Sequence, residues 1–283
     1  MIPLELKHRV SSSIGIVMML AGIALMLINL YGLTQSLRPG GIESEHLRFR
    51  EIDQTLSQEE FELGVQPLPG ESKLDYADRL TTTIAKGLAH IHWERYPVDK
   101  FHQRVPIWEN FLLYGMSVFT NIPEYDRYHF VSPEKSIERG IGICGDASML
   151  MSGLLDRHGI ESKLITVPGH VLVMADIDGQ SYVYDPDYGA SFGSDVHLSG
   201  SHHEALMQVY LEAGHSDLEA FYIAQRVMGP PTVWEGVEHF VTKKYYFERL
   251  SYPLKWLIPI TLLALGSYLF FMPPAVPKFR NEP

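Results

Sequence analysis

Cys144 is the residue whose chemistry most needs an explanation, because it is the only cysteine among 283 residues. A single thiol can form neither an intramolecular disulfide nor a cysteine-rich zinc site. The run Gly140-Ile141-Gly142-Ile143 precedes it, and apolar residues at helical spacing follow. This pattern places the thiol where a helix begins, and backbone N–H groups and the helix dipole there favour a thiolate, the nucleophile of acyl transfer. The competing interpretation is a small core residue.

A histidine and two aspartates lie on what the sequence predicts to be a β-hairpin. Asp178-Gly179 separates two β-rich runs and is a strong signal for a two-residue turn. That turn places His170 directly opposite Asp187 and on the same face as Asp185, its diagonal neighbour. A carboxylate in either place can hold the imidazole in one tautomer and stabilise its protonated form. Asp185 is the first choice for this role and Asp187 the second.

These residues are more informative together than singly. A core cysteine, a structural histidine at the start of a strand and an aspartate that forms a turn are each common in proteins. Here all three occur in one short segment, and the predicted hairpin brings His170 beside Asp185. The residues therefore indicate a Cys-His-Asp site, in that chain order, with the N–H of Cys144 as a donor to an oxyanion.

The elements that must position this site read as one α+β domain. Ser72 begins a capping-box pattern, Ser132-Pro133 is typical of a helix start, and Gly159 is a natural helix stop. The connector from Glu43 to Phe61 is charged and predicted to be helical. Helices are predicted at about 72–91, 105–118, 132–139, 144–158 and again from about 202 to 250, and strands at 161–167, 170–177 and 180–184.

Two apolar stretches are long enough to cross a bilayer. Ile14 to Leu33 contains no charged residue, and Leu254 to Met272 carries one lysine near its edge. Pro259 is expected in the first turn of the second helix, where a proline costs least. A cleaved signal peptide is the alternative for the first stretch, but its apolar core is too long and the sequence after Leu33 is a poor cleavage site.

These stretches divide the chain. We expect an N-terminal tail at 1–13, transmembrane helices at 14–33 and 251–273, a helical connector at 34–71, the catalytic domain at 72–250 with its core at 132–189, and a C-terminal tail at 274–283. Both termini then lie on one side of the membrane. The flanking Lys and Arg residues favour a cytoplasmic domain, but long segments are translocated largely regardless of charge. The prediction adopted is an extracytoplasmic domain.

Two runs resemble the transglutaminase-like superfamily. The run GIGICGDASMLMSGLLDRHGIESKLITV is similar to its nucleophile helix and first strand, and PGHVLVMADIDGQSYVYDPDYG is similar to its histidine and aspartate strands. The resemblance covers about a fifth of the chain and implies a papain-like α+β core, with a helix packed on a small antiparallel sheet. By the same resemblance, Cys144 is the nucleophile, His170 the base and Asp185 the residue that orients the imidazole.

The chain departs from the family pattern near the histidine. Val171 stands where many members have an aromatic residue, and the short segment between Cys144 and His170 implies a trimmed loop beside the cleft. The family also implies an oxyanion-stabilising side chain upstream of the cysteine. Its candidates are Gln103, Trp108 and Asn110.

The composition limits the remaining function classes. A formal net charge of −11 argues against nucleic acid as the main partner, and no phosphate-binding or dinucleotide motif is present. No cofactor or metal site is predicted, because the histidines at 202, 203 and 215 match no standard zinc spacing. His90 and His92 are interpreted as packing or interface groups, and the aromatic residues at 125, 128 and 130 as a packed loop rather than a substrate rim.

The sequence thus predicts a membrane-anchored thiol enzyme that acts on a peptide or side-chain amide through a cysteine thioester. Hydrolysis is preferred to transamidation. The expected partners are peptide or protein substrates near the membrane, the lipid bilayer and other membrane proteins. The alternative is a catalytically idle domain that serves as a binding or assembly component of a membrane complex, for example in exporting or modifying an envelope polymer.

Overall fold

The computed structural model describes residues 4–48, 56–194 and 202–272. The chain divides into two compact units. The first unit comprises Met1–Gln35, Pro106–Thr120 and Leu250–Pro283, and the second comprises Ser36–Val105 and Asn121–Arg249.

The described residues include helices and strands joined by turns and loops. The helices are α1 (Leu4–Gly32), α2 (Gln58–Gly64), α3 (Lys73–Gly87), α4 (Phe111–Phe119), α5 (Pro123–Asp126), α6 (Pro133–Arg139), α7 (Cys144–Arg157), α8 (His203–Glu212), α9 (Asp217–Val227), α10 (Val237–Phe240) and α11 (Thr242–Phe271). The strands are β1 (Ala89–His90), β2 (Ile141–Gly142), β3 (Glu161–Val167), β4 (His170–Ile177), β5 (Gln180–Asp185), β6 (Ala190–Phe192) and β7 (Thr232–Trp234).

A five-stranded antiparallel sheet lies at the centre of the second unit, in the order β6-β5-β4-β3-β7. Helix α7 packs on β3 and β4, and α3 packs on α7. Leu150, Leu154, Leu164 and Val173 belong to the core between the helix and the sheet. The α+β architecture, with a nucleophile helix on a small antiparallel sheet, is therefore confirmed.

The β4–β5 hairpin has the predicted turn and register. Asp178 and Gly179 both have positive φ angles, 51° and 82°, as a type I′ turn requires. Ile177 pairs with Gln180, and the ladder continues to Val173 opposite Tyr184. Because side chains alternate between the faces of a strand, this register places Asp185 on the same face of the sheet as the histidine at the start of β4.

Local capping signals also fix two helices where the sequence placed them. The Ser72 side chain accepts a hydrogen bond from the N–H of Asp75 at the start of α3. Ser132 caps α6 in the same way, through the N–H of Lys135, with Pro133 at the first helical position. Each cap satisfies one of the N–H groups that have no acceptor inside their helix.

The helix predicted at 105–118 is shorter than expected. Its α-helical part, α4, begins only at Phe111, because a proline follows Val105 and Asn110 serves as the N-cap. The Asn110 side-chain oxygen accepts hydrogen bonds from the N–H groups of Leu112 and Leu113. A residue before proline is pushed away from helical angles, which explains the later start.

Two other helical predictions need correction. The region from 202 to 250 contains α8 and α9 but also the strand β7, which pairs with β3. The connector predicted as helical from Glu43 to Phe61 holds a 3₁₀ turn at Ser44–His46 and the start of α2. Residues 49–55 of that connector lie outside the described part of the chain.

Two helices among the described residues are long and apolar enough to cross a membrane, at Arg9–Gly32 within α1 and at Thr242–Phe271. They pack closely: a Cβ added to Gly15 would lie 2.7 Å from the Gly266 carbonyl oxygen, and one added to Gly266 would lie 2.8 Å from that of Gly15. Small residues at such contacts allow helix backbones to approach each other. Pro259 lies well inside α11 rather than in its first turn, which corrects the prediction. Interior prolines are tolerated in membrane helices, where local adjustment satisfies the freed carbonyl groups.

Candidate active site

Cys144 is the first residue of α7 and remains partly exposed. The preceding residue, Ile143, has extended backbone angles, and its N–H donates to the Asp146 carboxylate at 2.9 Å. Gly142 is required for this entry, since a Cβ there would lie 2.6 Å from the Cβ of Asp146. The thiol therefore lies where N–H groups without an intrahelical acceptor and the helix dipole favour its anionic form.

His170, the first residue of β4, is held by Asp185 at the end of β5. The His170 Nε2–H donates to Asp185 Oδ2 at 2.7 Å, and both side chains are buried. Asp185 Oδ2 also accepts the hydroxyl of Tyr210 at 2.8 Å, and Asp185 Oδ1 accepts two N–H groups, those of Asp187 and Tyr188. Four donors thus stabilise the ionised carboxylate and fix its orientation toward the imidazole.

The histidine ring is close to the thiol. Because Nε2 is held by Asp185, Nδ1 is the nitrogen left for Cys144, and Sγ lies within 4.8 Å of a His170 ring nitrogen. One turn along α7, the Ser148 hydroxyl donates to the Val171 carbonyl at 2.9 Å, which fixes the helix against the start of β4. Burial opposes a charge on His170, but the Asp185 carboxylate and the Cys144 sulfur outweigh it and raise the pKa of His170 well above its usual value.

A second imidazole–carboxylate pair lies beside the first. His90 Nδ1 is 2.6 Å from Asp187 Oδ1, and its Nε2 is 2.9 Å from the Arg48 guanidinium, which also donates to the Tyr188 hydroxyl at 2.5 Å. Burial would raise the pKa of Asp187, but the neighbouring His90, His170 and Arg48 outweigh it and lower that pKa. Sequence reasoning named Asp187 as the second choice for orienting His170 and interpreted His90 as a packing or interface group. It missed their contact with each other and with Arg48, since these contacts join positions far apart in the chain.

The thiol opens into a cleft of about 440 Å³. Its lining is rich in cationic and imidazole side chains and includes Trp93, whose buried indole Nε1 has no hydrogen-bond partner among the described residues. The lining residues are Arg48, His90, Ile91, His92, Trp93, Glu94, Arg95, Ile143, Cys144 and Gly169.

A buried ionic network supports this wall of the cleft. Asp146 Oδ1 lies 3.2 Å from the Arg139 guanidinium, and its Oδ2 lies 2.7 Å from His129 Nδ1. The His129 ring stacks on Trp93 with the ring centres 5.0 Å apart. Burial would raise the pKa of Asp146, but the neighbouring His129 and Arg139 outweigh it and lower that pKa. The first turn of α7 and the tryptophan are thus positioned by one carboxylate.

Two of the three expected oxyanion side chains, those of Gln103 and Asn110, form hydrogen bonds with other groups. The Gln103 amide nitrogen donates to the Trp93 carbonyl at 2.8 Å, and that of Asn110 donates to the Ser251 hydroxyl at 2.9 Å. The Trp108 carbonyl packs against Gly32. None of the three is among the described residues that line the cleft. The backbone N–H of Cys144, at the start of α7, remains the expected oxyanion donor.

The remaining singled-out residues are structural. Tyr128 and Phe130 are fully buried, which confirms a packed loop rather than a substrate rim. His203 Nε2 lies 3.0 Å from the Phe221 carbonyl oxygen, and His215 Nε2 lies 2.7 Å from that of Tyr188. These imidazoles therefore contact backbone carbonyl groups outside the cleft lining.

Comparison with known proteins supports the arrangement. Residues 75–190, about two fifths of the chain, match the family model described as a transglutaminase-like domain. No curated protein and no solved structure matches the chain significantly. The matched stretch contains Cys144, His170 and both aspartates, and such a Cys-His-Asp arrangement supports a thiol enzyme. The stretch from 75 to 190 is therefore a transglutaminase-like domain.

Proposed function

We propose that the domain cleaves peptide or side-chain amides through a thioester on Cys144. One observation carries this proposal: the His170 ring lies between Cys144 and Asp185. One ring nitrogen lies near the Cys144 sulfur, and Nε2 donates to Asp185 at 2.7 Å. A buried, unreactive thiol with the histidine pointing elsewhere would favour the alternative of a catalytically idle assembly component. The partly exposed Cys144 next to a held imidazole supports the enzyme instead.

The proposed reaction uses the groups in a fixed order. The Cys144 thiolate attacks the carbonyl carbon of the amide, and the negative oxygen that forms accepts a hydrogen bond from the Cys144 N–H. The His170 imidazolium then gives its proton to the leaving amine, so the C–N bond breaks and a thioester remains. Asp185 accepts the hydrogen bond from Nε2–H, so that Nδ1 of the imidazole stays directed toward the Cys144 sulfur.

Water is the proposed second substrate. His170, now neutral, accepts a proton from water as the oxygen attacks the thioester, and this step releases the acid and the thiolate. The cleft leaves Cys144 partly exposed, so water reaches the thioester without a second binding site. Hydrolysis is accordingly preferred to transamidation.

Acyl transfer to the cysteine is tested with the full chain in detergent micelles and an activated peptide ester. We expect one acyl adduct on the wild-type protein by intact mass, released by hydroxylamine as a thioester is, and no adduct on Cys144→Ala. The chain has one cysteine, so no mutational background is needed. An equal adduct on Cys144→Ala, or none on a folded wild-type protein, would contradict the proposal.

We further propose that the two apolar helices anchor the domain, so that its substrates are membrane-proximal proteins or peptides, and that the domain is extracytoplasmic. Helices of suitable length and composition occur near both ends of the chain and support anchoring. Protease added to intact cells should then digest the domain, and protection until the cells are lysed would place it on the cytoplasmic side.

A further inference from the structure

Asp187 carries a carboxylate oxygen that the proposed reaction leaves unused. Its Oδ1 is held by His90 at 2.6 Å, whereas its Oδ2 is buried without a hydrogen-bond partner. The Arg48 guanidinium lies 4.0 Å from Oδ2, too far for a hydrogen bond. Orientation of His170 does not need this residue, because Asp185 already holds Nε2. A buried, unpaired carboxylate oxygen is costly unless something binds it.

A carboxylate oxygen of Asp187 lies near the thiol and the imidazole. Cys144 Sγ, a His170 ring nitrogen and an Asp187 oxygen all lie within 4.8 Å of one another. Thiolate, imidazole and carboxylate are the three ligand types that Zn²⁺ binds, at bond lengths of about 2.0–2.3 Å. Those bond lengths put ligand atoms roughly 3.5 Å apart in a tetrahedral site. Small side-chain movements would bring the three atoms to that spacing.

The surroundings of the three residues also suit a metal. A ligating histidine commonly donates its other ring nitrogen to a carboxylate, as His170 does to Asp185, and ligating carboxylates are themselves hydrogen-bonded, as Asp187 is to His90. The cleft at Cys144 supplies an entry path and room for a water at the fourth position. Zinc sites with three protein ligands keep such an open position.

We propose that Cys144, His170 and Asp187 bind Zn²⁺ and that the bound ion reversibly blocks the thiol. The metal takes the place of the proton shared by sulfur and imidazole, so that proton passes to solvent and no oxidation occurs. Thiolate and carboxylate together neutralise the ion. The site itself stands on the geometry alone, whereas its inhibitory effect rests on the proposed function. The ligands come from α7, the start of β4 and the segment after β5. Because they lie on separate elements, they form no metal-binding motif of fixed spacing in the sequence.

The test uses metal-free full-length protein in detergent micelles. Zinc affinity is measured by competition with a chromophoric chelator, and protection of Cys144 is measured as the rate of alkylation by iodoacetamide. We expect Cys144→Ala to lose the site and Asp187→Asn to bind zinc at least about tenfold more weakly. Asp178→Asn, the same change in the hairpin turn, is the matched control and should bind as the wild type does. Zinc should slow alkylation in the wild type, and a chelator should restore it.

Cobalt provides a readout that does not depend on the folding of a variant. Co²⁺ in the wild-type protein should show the charge-transfer absorption of a cobalt–thiolate bond, and Zn²⁺ should remove it. Equal zinc affinity in the wild type and Asp187→Asn, or full alkylation at saturating zinc, would overturn the site. A thiol that is reactive without metal but indifferent to zinc would leave the proposed function intact. An inert thiol in a protein that binds zinc would contradict only the proposed function.

Discussion

Replacing His170 with alanine is expected to slow alkylation of Cys144 by iodoacetamide at pH 6 by about tenfold or more. An isolated thiol is almost fully protonated at that pH, since its usual pKa is about 8.5. A neighbouring imidazolium stabilises a thiolate, and the thiolate rather than the thiol reacts with iodoacetamide. Because His170 lies beside the Cys144 sulfur, its removal takes this activation away.

The pH dependence of alkylation should distinguish the two proteins further. The pKa of His170 is raised in the folded state, so its stabilising charge is fully present below its usual pKa of about 6.5 and is lost as pH rises through the raised value. The wild-type rate should vary little across mildly acidic pH, whereas the His170→Ala rate should rise about tenfold per unit toward pH 8.5. His203→Ala, outside the cleft lining, is the control. Superimposable profiles for wild type and His170→Ala would exclude the ion pair.

Replacing Asp146 with asparagine is expected to lower the free energy of unfolding by about 3–5 kcal/mol. The substitution leaves the fully buried Arg139 guanidinium without its carboxylate and weakens the contact with His129. Breaking a buried pair costs more than the pair contributes, because an uncompensated charge remains in a low-dielectric site. Chemical denaturation of the full-length protein at pH 7, followed by tryptophan fluorescence, measures the change.

An exposed ion pair provides the comparison. Asp99 lies 3.0 Å from Arg104 with its side chain 72% exposed, so Asp99→Asn should cost less than about 1 kcal/mol. The pKa of Asp146 is lowered, so its contribution is present above the usual aspartate pKa of about 3.9 and is lost as pH falls through the lowered value. Equal losses for the two variants at pH 7 would show that the network adds nothing specific.

The elements nearest the thiol were predictable because their signals are local. The Asp178-Gly179 turn fixes the hairpin register through two positive φ angles, and Ser72 and Ser132 cap their helices within three residues. Placing Cys144 at the start of α7 likewise needed only the residues around it. These features depend on backbone geometry that a short stretch of sequence determines by itself.

The parts that were missed depend on contacts between distant positions. His90 meets Asp187 across 97 positions, and Arg48 meets Tyr188 across 140. Strand β7 has only three residues, too few for a periodic pattern, and it is ordered by pairing with β3. Such contacts produce no pattern in the spacing of neighbouring residues. The His90–Asp187 pair could therefore be identified only in the folded chain.

The contacts of the site also bear on which fragment could be excised and still fold. A fragment cut at 75 and 190 would lack the Tyr210 hydroxyl that donates to Asp185 and the Arg48 guanidinium beside Asp187. It would also lose Glu248, which accepts the N–H groups of Val131 and Ser132, and would leave one edge of β3 without β7. The family match marks the stretch of sequence similarity, and we expect a fragment that folds by itself to extend at least from 48 to 248.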